Sequence, residues 1–173
     1  MQRLPTPRHC IQILKEAGCS NEVIEHCKVV RDVAVKIAYK ANANIRLVET
    51  GALLHDIGRA KTHGLFHAIE GATIARERNL PEEVALIIER HIGAGLPREI
   101  AQSLGLPARD FVPQTLEEKI VCHADNLIDD NKRQPIEKEV EAALRAGKKD
   151  YARRLVQLHK ELSDICGMDL NDI

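Results

Sequence analysis

Tryptophan is absent from this chain, and only two Tyr and two Phe stand among its 173 residues. A surface that grips single-stranded nucleic acid stacks bases on aromatic rings, and there are too few rings here to build one. Charge of one sign is also lacking. The formal net charge is -1, so nothing draws the chain as a whole to nucleic acid or to an anionic membrane. The apolar runs are far too short to span a bilayer, and Met1-Gln2-Arg3-Leu4-Pro5-Thr6-Pro7 lacks the apolar core of a signal peptide. The five cysteines (Cys10, Cys19, Cys27, Cys122 and Cys166) contain no C-x-x-C pair. An odd count without that spacing argues against a disulfide framework or a cysteine–zinc site, and fits reduced thiols in the cytoplasm. There is no alternating strand-like run and no Asn-Gly hairpin.

Helical periodicity fills the space these absences leave. Hydrophobic residues make up 44% and charged residues 29%, which suits a single soluble domain over residues 1–173. Thr6-Pro7 opens a first helix that Gly18 stops. Ser20 caps a second, running to about Ala41, with Val23, Cys27, Val30, Ala34 and Ile37 on its buried face and His26 inside the same arc. A third runs from about Ile45 to Ile57, apolar nearly all round and hence central, with Gly51 admitting a close neighbour and Gly58 ending it. A polar loop over 59–64 carries Arg59, Lys61 and His63. The fourth helix, about Phe66 to Asn79, turns His67 inward, with Gly71 clearing space beside it. The fifth starts at Pro81, turns His91 inward and stops at Gly93. A short helix near Pro97 to Leu104 and a loop to Gln114 follow. Thr115-Leu116-Glu117-Glu118 is a capping box that opens a helix through Ile128. Helices from Pro135 to Ala146 and along Tyr151, Leu155, Leu158, Leu162 and Ile165 form a C-terminal hairpin (about 135–166) that completes the core or makes a homodimer contact. His159 lies at the edge of that stripe and reads as a surface residue. The expectation is an all-α bundle of about eight to nine helices.

Leu53-Leu54-His55-Asp56-Ile57-Gly58 stands out within this pattern. A buried carboxylate costs several kcal/mol unless it is paired or metal-bound. Two readings are therefore open. Either Asp56 pairs with Arg59 beside an ordinary core histidine, or the pair belongs to a metal site. Four inward histidines (His26, His55, His67 and His91) on separate helices are hard to satisfy without a shared partner, and helix bundles build metal sites from facing helices. His and Asp donors suit Fe, Mn, Zn, Co or Ni. His123 and Asp125 lie about 200° apart on their helix, so only one of them can face such a site. Geometry leaves open which, and leans to His123.

The set His26, His55-Asp56 and Asp125 resembles the H…HD…D signature of the HD-domain phosphohydrolases, over roughly residues 20–130, and Leu54-His55-Asp56-Ile57-Gly58 resembles their HDIG variant. With His67 and His91 added, the pattern is most similar to the two-metal subset, as in bacterial symmetrical diadenosine tetraphosphate hydrolases. The resemblance implies a divalent centre of one or two ions. His26, His55, Asp56 and Asp125 would hold the first, and Asp56 would bridge to a second on His67 and His91. It thereby prefers Asp125 to His123, which becomes a packing or supporting residue. It also implies hydrolysis of a small phosphorylated metabolite or nucleotide by a metal-activated hydroxide held at Asp56. Arg59, Lys61 and His63 would offset substrate charge. Many HDIG proteins have lysine where this chain has Arg59, so the phosphate-contacting cation is not assigned by the pattern. No membrane and no long nucleic acid is expected as a partner. The alternatives are a di-iron oxygenase of HD-like fold and a non-catalytic nucleotide-binding module.

Overall fold

In the computed structural model, which describes residues 3–173, four α-helices begin where the sequence supplies a side-chain cap. Thr6 accepts from His9 N–H to start α1 (Pro7–Ala17), Ser20 from Val23 to start α2 (Asn21–Lys40), and Asn44 from Leu47 to start α3 (Ile45–Leu54). A 3-10 turn over Ile57–Ala60 leads to α4 (His67–Glu77), α5 (Glu82–Glu89) and α6 (Arg98–Ser103). Thr115 accepts from Glu118 N–H to start α7 (Leu116–Asn126). Strands β1 (Ile128–Asp129) and β2 (Lys132–Arg133) pair in a hairpin, and α8 (Ile136–Arg145), α9 (Lys149–Cys166) and a 3-10 turn over Leu170–Asp172 close the chain. The all-α bundle is thus as expected, with nine α-helices among the described residues. None is long and apolar enough to cross a membrane.

Two buried clusters form the core. One joins α2 and α7 to α9 through Val30, Ile37, Ile120, Leu155 and Leu162, and the other joins α1 and α4 to α2 through Leu14, Cys27, Ala72 and Ile88 of α5. Helices α3 and α5 contribute to both, so the central position expected of α3 is observed. Each fully buried Leu or Ile is worth about 1.5–3 kcal/mol over exposure. Gly51 lets α5 approach α3, since a methyl group there would stand 2.7 Å from Ile87 Cγ2. The C-terminal stripe completes the core, although Ile165 at its end is exposed.

Several sequence expectations need correction. The β1–β2 hairpin was not expected, because two-residue strands are too short to alternate. Helix α3 ends at Leu54, a turn before Gly58, and α5 ends at Glu89, before His91. Gly58 is instead a packing glycine, and the space beside Gly71 is taken by Ile88 and Gly58. Only half of the capping box forms, because Glu118 Oε2 accepts from Gln114 N–H at 2.8 Å and both its oxygens bind Arg90, at 3.1 and 3.0 Å. His159 is partly buried, and it bonds His123 at 2.8 Å and Asp169 at 2.9 Å.

The Arg90–Glu118 pair ties the end of α5 to the start of α7, and Glu118 is only 3% exposed. Removing one member of such a pair strands a buried charge. Arg90→Met is therefore expected to lower stability by about 3 kcal/mol in urea unfolding, with Arg90→Met/Glu118→Leu recovering most of the loss. A double variant no more stable than the single would mean that the pair is not an isolated charge problem.

Candidate metal centre

Five chain segments deliver polar side chains to one point. His26 comes from α2, His55-Asp56 from the end of α3, His67 from the first turn of α4, His91 from just past α5, and Asp125 from α7. His55 is fully buried, and His67, His91 and Asp56 are at most 5% exposed. His26 and Asp125 are partly buried at the mouth.

Each imidazole is aimed by a backbone carbonyl. His26 Nδ1 lies 2.6 Å from Asp130 O, His55 Nδ1 2.7 Å from Ala52 O, His67 Nδ1 2.8 Å from Gly64 O, and His91 Nδ1 2.6 Å from Ile88 O. A carbonyl can only accept, so each Nδ1 is the donor and each neutral ring presents a bare Nε2 lone pair to the centre. Ala52 and Ile88 are in the last turns of α3 and α5, where helices run out of N–H groups for their carbonyls. The early ends of both helices are thus what orient their histidines.

Asp56 divides the centre. Its Oδ2 lies 3.8 Å from His26 Nε2 and 3.6 Å from His55 Nε2, whereas its Oδ1 lies 3.1 Å from His67 Nε2 and 3.4 Å from His91 Nε2. Asp125 Oδ1 lies 3.0 Å from His26 Nε2 and 3.5 Å from His55 Nε2. His67 and His91 face each other Nε2 to Nε2 at 3.1 Å. Donor atoms of His26, His55 and Asp125 all lie within 4.8 Å of one another, and so do those of His55, Asp56 and His91. His55 Nε2 and Asp56 Oδ1 are buried without a hydrogen-bond partner. Acceptors therefore face acceptors, and positive charge is what the arrangement calls for. The directions of the pKa values agree. Burial opposes charge on both groups of the HD pair, yet Asp56 raises the His55 imidazole well above its usual range, and His55, His67 and His91 hold the Asp56 carboxyl well below its own. Burial lowers His91. These donors fit one or two divalent ions of the His/carboxylate-binding kind.

Of the other sequence candidates, Arg59 reaches the centre, with Nε 3.0 Å from Asp56 Oδ2 and Nη1 3.1 Å from His63 O. The plain ion pair and the histidine cluster are therefore present together. Lys61 is not among the described residues that line the cleft over the centre, and its ammonium lies 3.5 Å from Glu70. His123 faces away from the centre and pairs with His159, so α7 presents Asp125. A cleft of about 590 Å³ opens over the centre, with Ser20, Glu22, His26, Asp56, Arg59 and Asn131 on its walls. The wall built by the hairpin turn at Asp130-Asn131 was missed from sequence. Its sequence signal, Asp130-Asn131 without a glycine, is weaker than Asn-Gly, although Asp130 adopts the positive φ of such a turn, 52°. All five cysteines are free, and burial pushes the Cys19 thiol up to about 11 and Cys10 to about 12, so these two are poor ligands and nucleophiles.

The sequence pattern of the family described as HD domain matches residues 23–129, which span His26, His55-Asp56, His67, His91 and Asp125. The chain belongs to the HD-domain family. This HD-domain chain is 45% identical over 170 residues to the tRNA (cytidine(56)-2'-O)-methyltransferase of Thermoplasma volcanium, an alignment that covers 98% of this chain and 50% of that protein. It is 44% identical over 162 residues to an uncharacterised protein of Methanocaldococcus jannaschii, covering 90% of this chain and 95% of that one. The chain spans about half the length of the tRNA methyltransferases it matches. Among solved structures, the HD domain of the L. monocytogenes phosphodiesterase PgpH in complex with cyclic-di-AMP superposes with a TM-score of 0.57 at 18% identity, covering 91% of this chain and 96% of that one. That likeness concerns the fold.

Proposed function

We propose that this HD-domain chain is a metal-dependent phosphohydrolase acting on a small phosphorylated metabolite or nucleotide through a two-metal centre. The observation that carries the reading is the convergence of four Nε2 lone pairs on the two oxygens of one buried carboxylate. His26, His55, Asp125 and Asp56 Oδ2 would hold one ion, and His67, His91 and Asp56 Oδ1 the other. When bound, a divalent pair lowers the pKa of water towards ~7 and neutralises phosphoryl oxygens. Asp56 would accept a hydrogen bond from the attacking water and position it; as the water's oxygen bonds to phosphorus, the ester P–O bond breaks and the departing alkoxide takes up the proton that the water gives up. Arg59 turns its free terminal amino group to a phosphoryl oxygen as negative charge builds there, while its Nε stays on Asp56. His55 holds its tautomer through Ala52 and takes no proton from the substrate.

Elemental analysis of the purified chain beside a His67→Ala/His91→Ala variant tests this. Two ions per parent chain and one per variant are expected, together with hydrolysis of bis(p-nitrophenyl) phosphate by the parent. One ion in both would return His67 and His91 to the core. Turnover that needs Fe(II) and O₂ would replace hydrolysis by oxygenase chemistry.

A second reading draws on the methyltransferase relatives. The matched half of a protein named for tRNA methylation would serve as a nucleotide- or RNA-binding module. Tight binding of an RNA or nucleotide with no turnover under any metal would favour it.

A further inference from the structure

The cleft over the centre has an unusual balance of charge. Among the described residues, Arg59 is the sole permanently cationic side chain on its walls, and two of its three nitrogens are already engaged, on Asp56 and on the His63 carbonyl. Two carboxylates, Glu22 and Asp130, stand exposed on the rim. Glu22 sits in the first turn of α2, where it offsets the positive end of a helix that would otherwise attract anions. No Phe or Tyr lines the cleft, so a base finds no ring to stack on. The remaining wall groups suit hydroxyls. The Asn131 amide can donate and accept, the rim carboxylates accept, and Ser20, whose oxygen accepts from Val23 N–H at 3.3 Å, keeps its hydroxyl hydrogen free to donate.

From this we infer that the cleft takes a single phosphate carried on a sugar or polyol, and that Glu22 and Asp130 reject a second phosphate by repulsion. The inference rests on the phosphohydrolase reading and names its substrate class. The centre and Arg59 supply positive charge for one phosphoryl group at the floor of the cleft. A second phosphate would have to lie against the acidic rim, since no lysine lines the cleft among the described residues and the Lys61 ammonium lies beside Glu70 instead. Rejection by like charge is a common source of specificity, and it loses little affinity for the preferred ligand. Polyphosphates such as dinucleoside tetraphosphates are then poor substrates for this chain, even though the spacing of its histidines is similar to that of enzymes that cleave them.

The test compares ribose 5-phosphate with ribose 1,5-bisphosphate, which share one skeleton and differ by one phosphate. Binding to the Mn²⁺-loaded chain is read by calorimetry, in the parent and in Glu22→Gln/Asp130→Asn. The amides keep the size and the hydroxyl-accepting oxygens of the acids. Asn also tolerates the positive φ at 130, and the Asp130 carbonyl that holds His26 is untouched. The parent is expected to bind the monophosphate at least tenfold more tightly than the bisphosphate, and the double variant to bring the two within about threefold. Equal binding by the parent, failure of both sugars to bind, or a ratio unmoved by the substitutions would overturn the inference. Metal content measured on the same samples separates the two levels. A parent that holds two ions yet prefers the bisphosphate refutes the substrate class alone, whereas a parent that loads no metal refutes the phosphohydrolase reading beneath it.

Discussion

Asp56→Ala is expected to abolish phosphate-ester hydrolysis, lowering kcat/KM more than about a thousandfold, or ~4 kcal/mol of transition-state stabilisation. The size of the effect follows from the division of labour in one carboxylate. Oδ2 faces His26 and His55, and Oδ1 faces His67 and His91. Removing both oxygens leaves the centre four imidazoles and Asp125, with no group shared between its halves. Metal content should fall to at most one ion per chain. The fold should persist, because Asp56 holds no helix cap and lies beyond the last residue of α3. Far-UV circular dichroism is the check on that point. Asp56→Asn should be almost as inactive, since an amide nitrogen cannot take the place of a carboxylate oxygen. Asp129→Asn, a charge removal on the exposed hairpin nearby, should leave activity within twofold of the parent. Hydrolysis within tenfold of the parent in Asp56→Ala would remove the carboxylate from the mechanism.

Much of this centre was legible from periodicity. His26, His67 and His91 each fell on the apolar arc of a helix, and all three are found at the centre. Asp125 was not legible that way. Helix α7 is packed on several sides, by α2, α3, α5 and α9, so both faces of His123-Ala124-Asp125 are interior. A helical wheel separates inside from outside and cannot tell one interior from another. Only the resemblance to the H…HD…D pattern singles out Asp125, whose Oδ1 lies 3.0 Å from His26 Nε2. His159 was misread for a related reason. Its partner, His123, is 36 residues away, and the Asp169 that holds its other nitrogen lies past the end of α9. Lys61 follows the motif directly, which is why it reads as a substrate contact. After the 3-10 turn over Ile57–Ala60 its ammonium lies 3.5 Å from Glu70 of α4.

Gly58 shows how far a local rule can mislead, and it gives the second large expected effect. A glycine after a helical run is commonly a stop signal, using its freedom to adopt positive φ. Gly58 adopts no positive φ, and its value is size. A methyl group at Gly58 would overlap the carbonyl oxygen of His67 and stand 2.6 Å from the backbone nitrogen of Gly71. These are backbone atoms of α4, so no side-chain rotation relieves the clash. The turn that carries Asp56 and the helix that carries His67 touch main chain to main chain at this glycine, which sets His67 Nε2 at 3.1 Å from Asp56 Oδ1. Gly58→Ala should therefore force α4 outward, lower stability by about 3 kcal/mol, near the upper end of ordinary overpacking, and lower the metal content by the ion proposed for His67 and His91. Gly51→Ala is the matched comparison. Its methyl group would meet the Ile87 side chain, at 2.7 Å from Cγ2 and 2.8 Å from Cδ1, and no main chain of α4. That variant should lose about 2 kcal/mol and leave the metal content unchanged. Urea unfolding and metal analysis of the two variants decide the point. Equal losses of stability with unchanged metal content would show that the Gly58–α4 contact does not position His67.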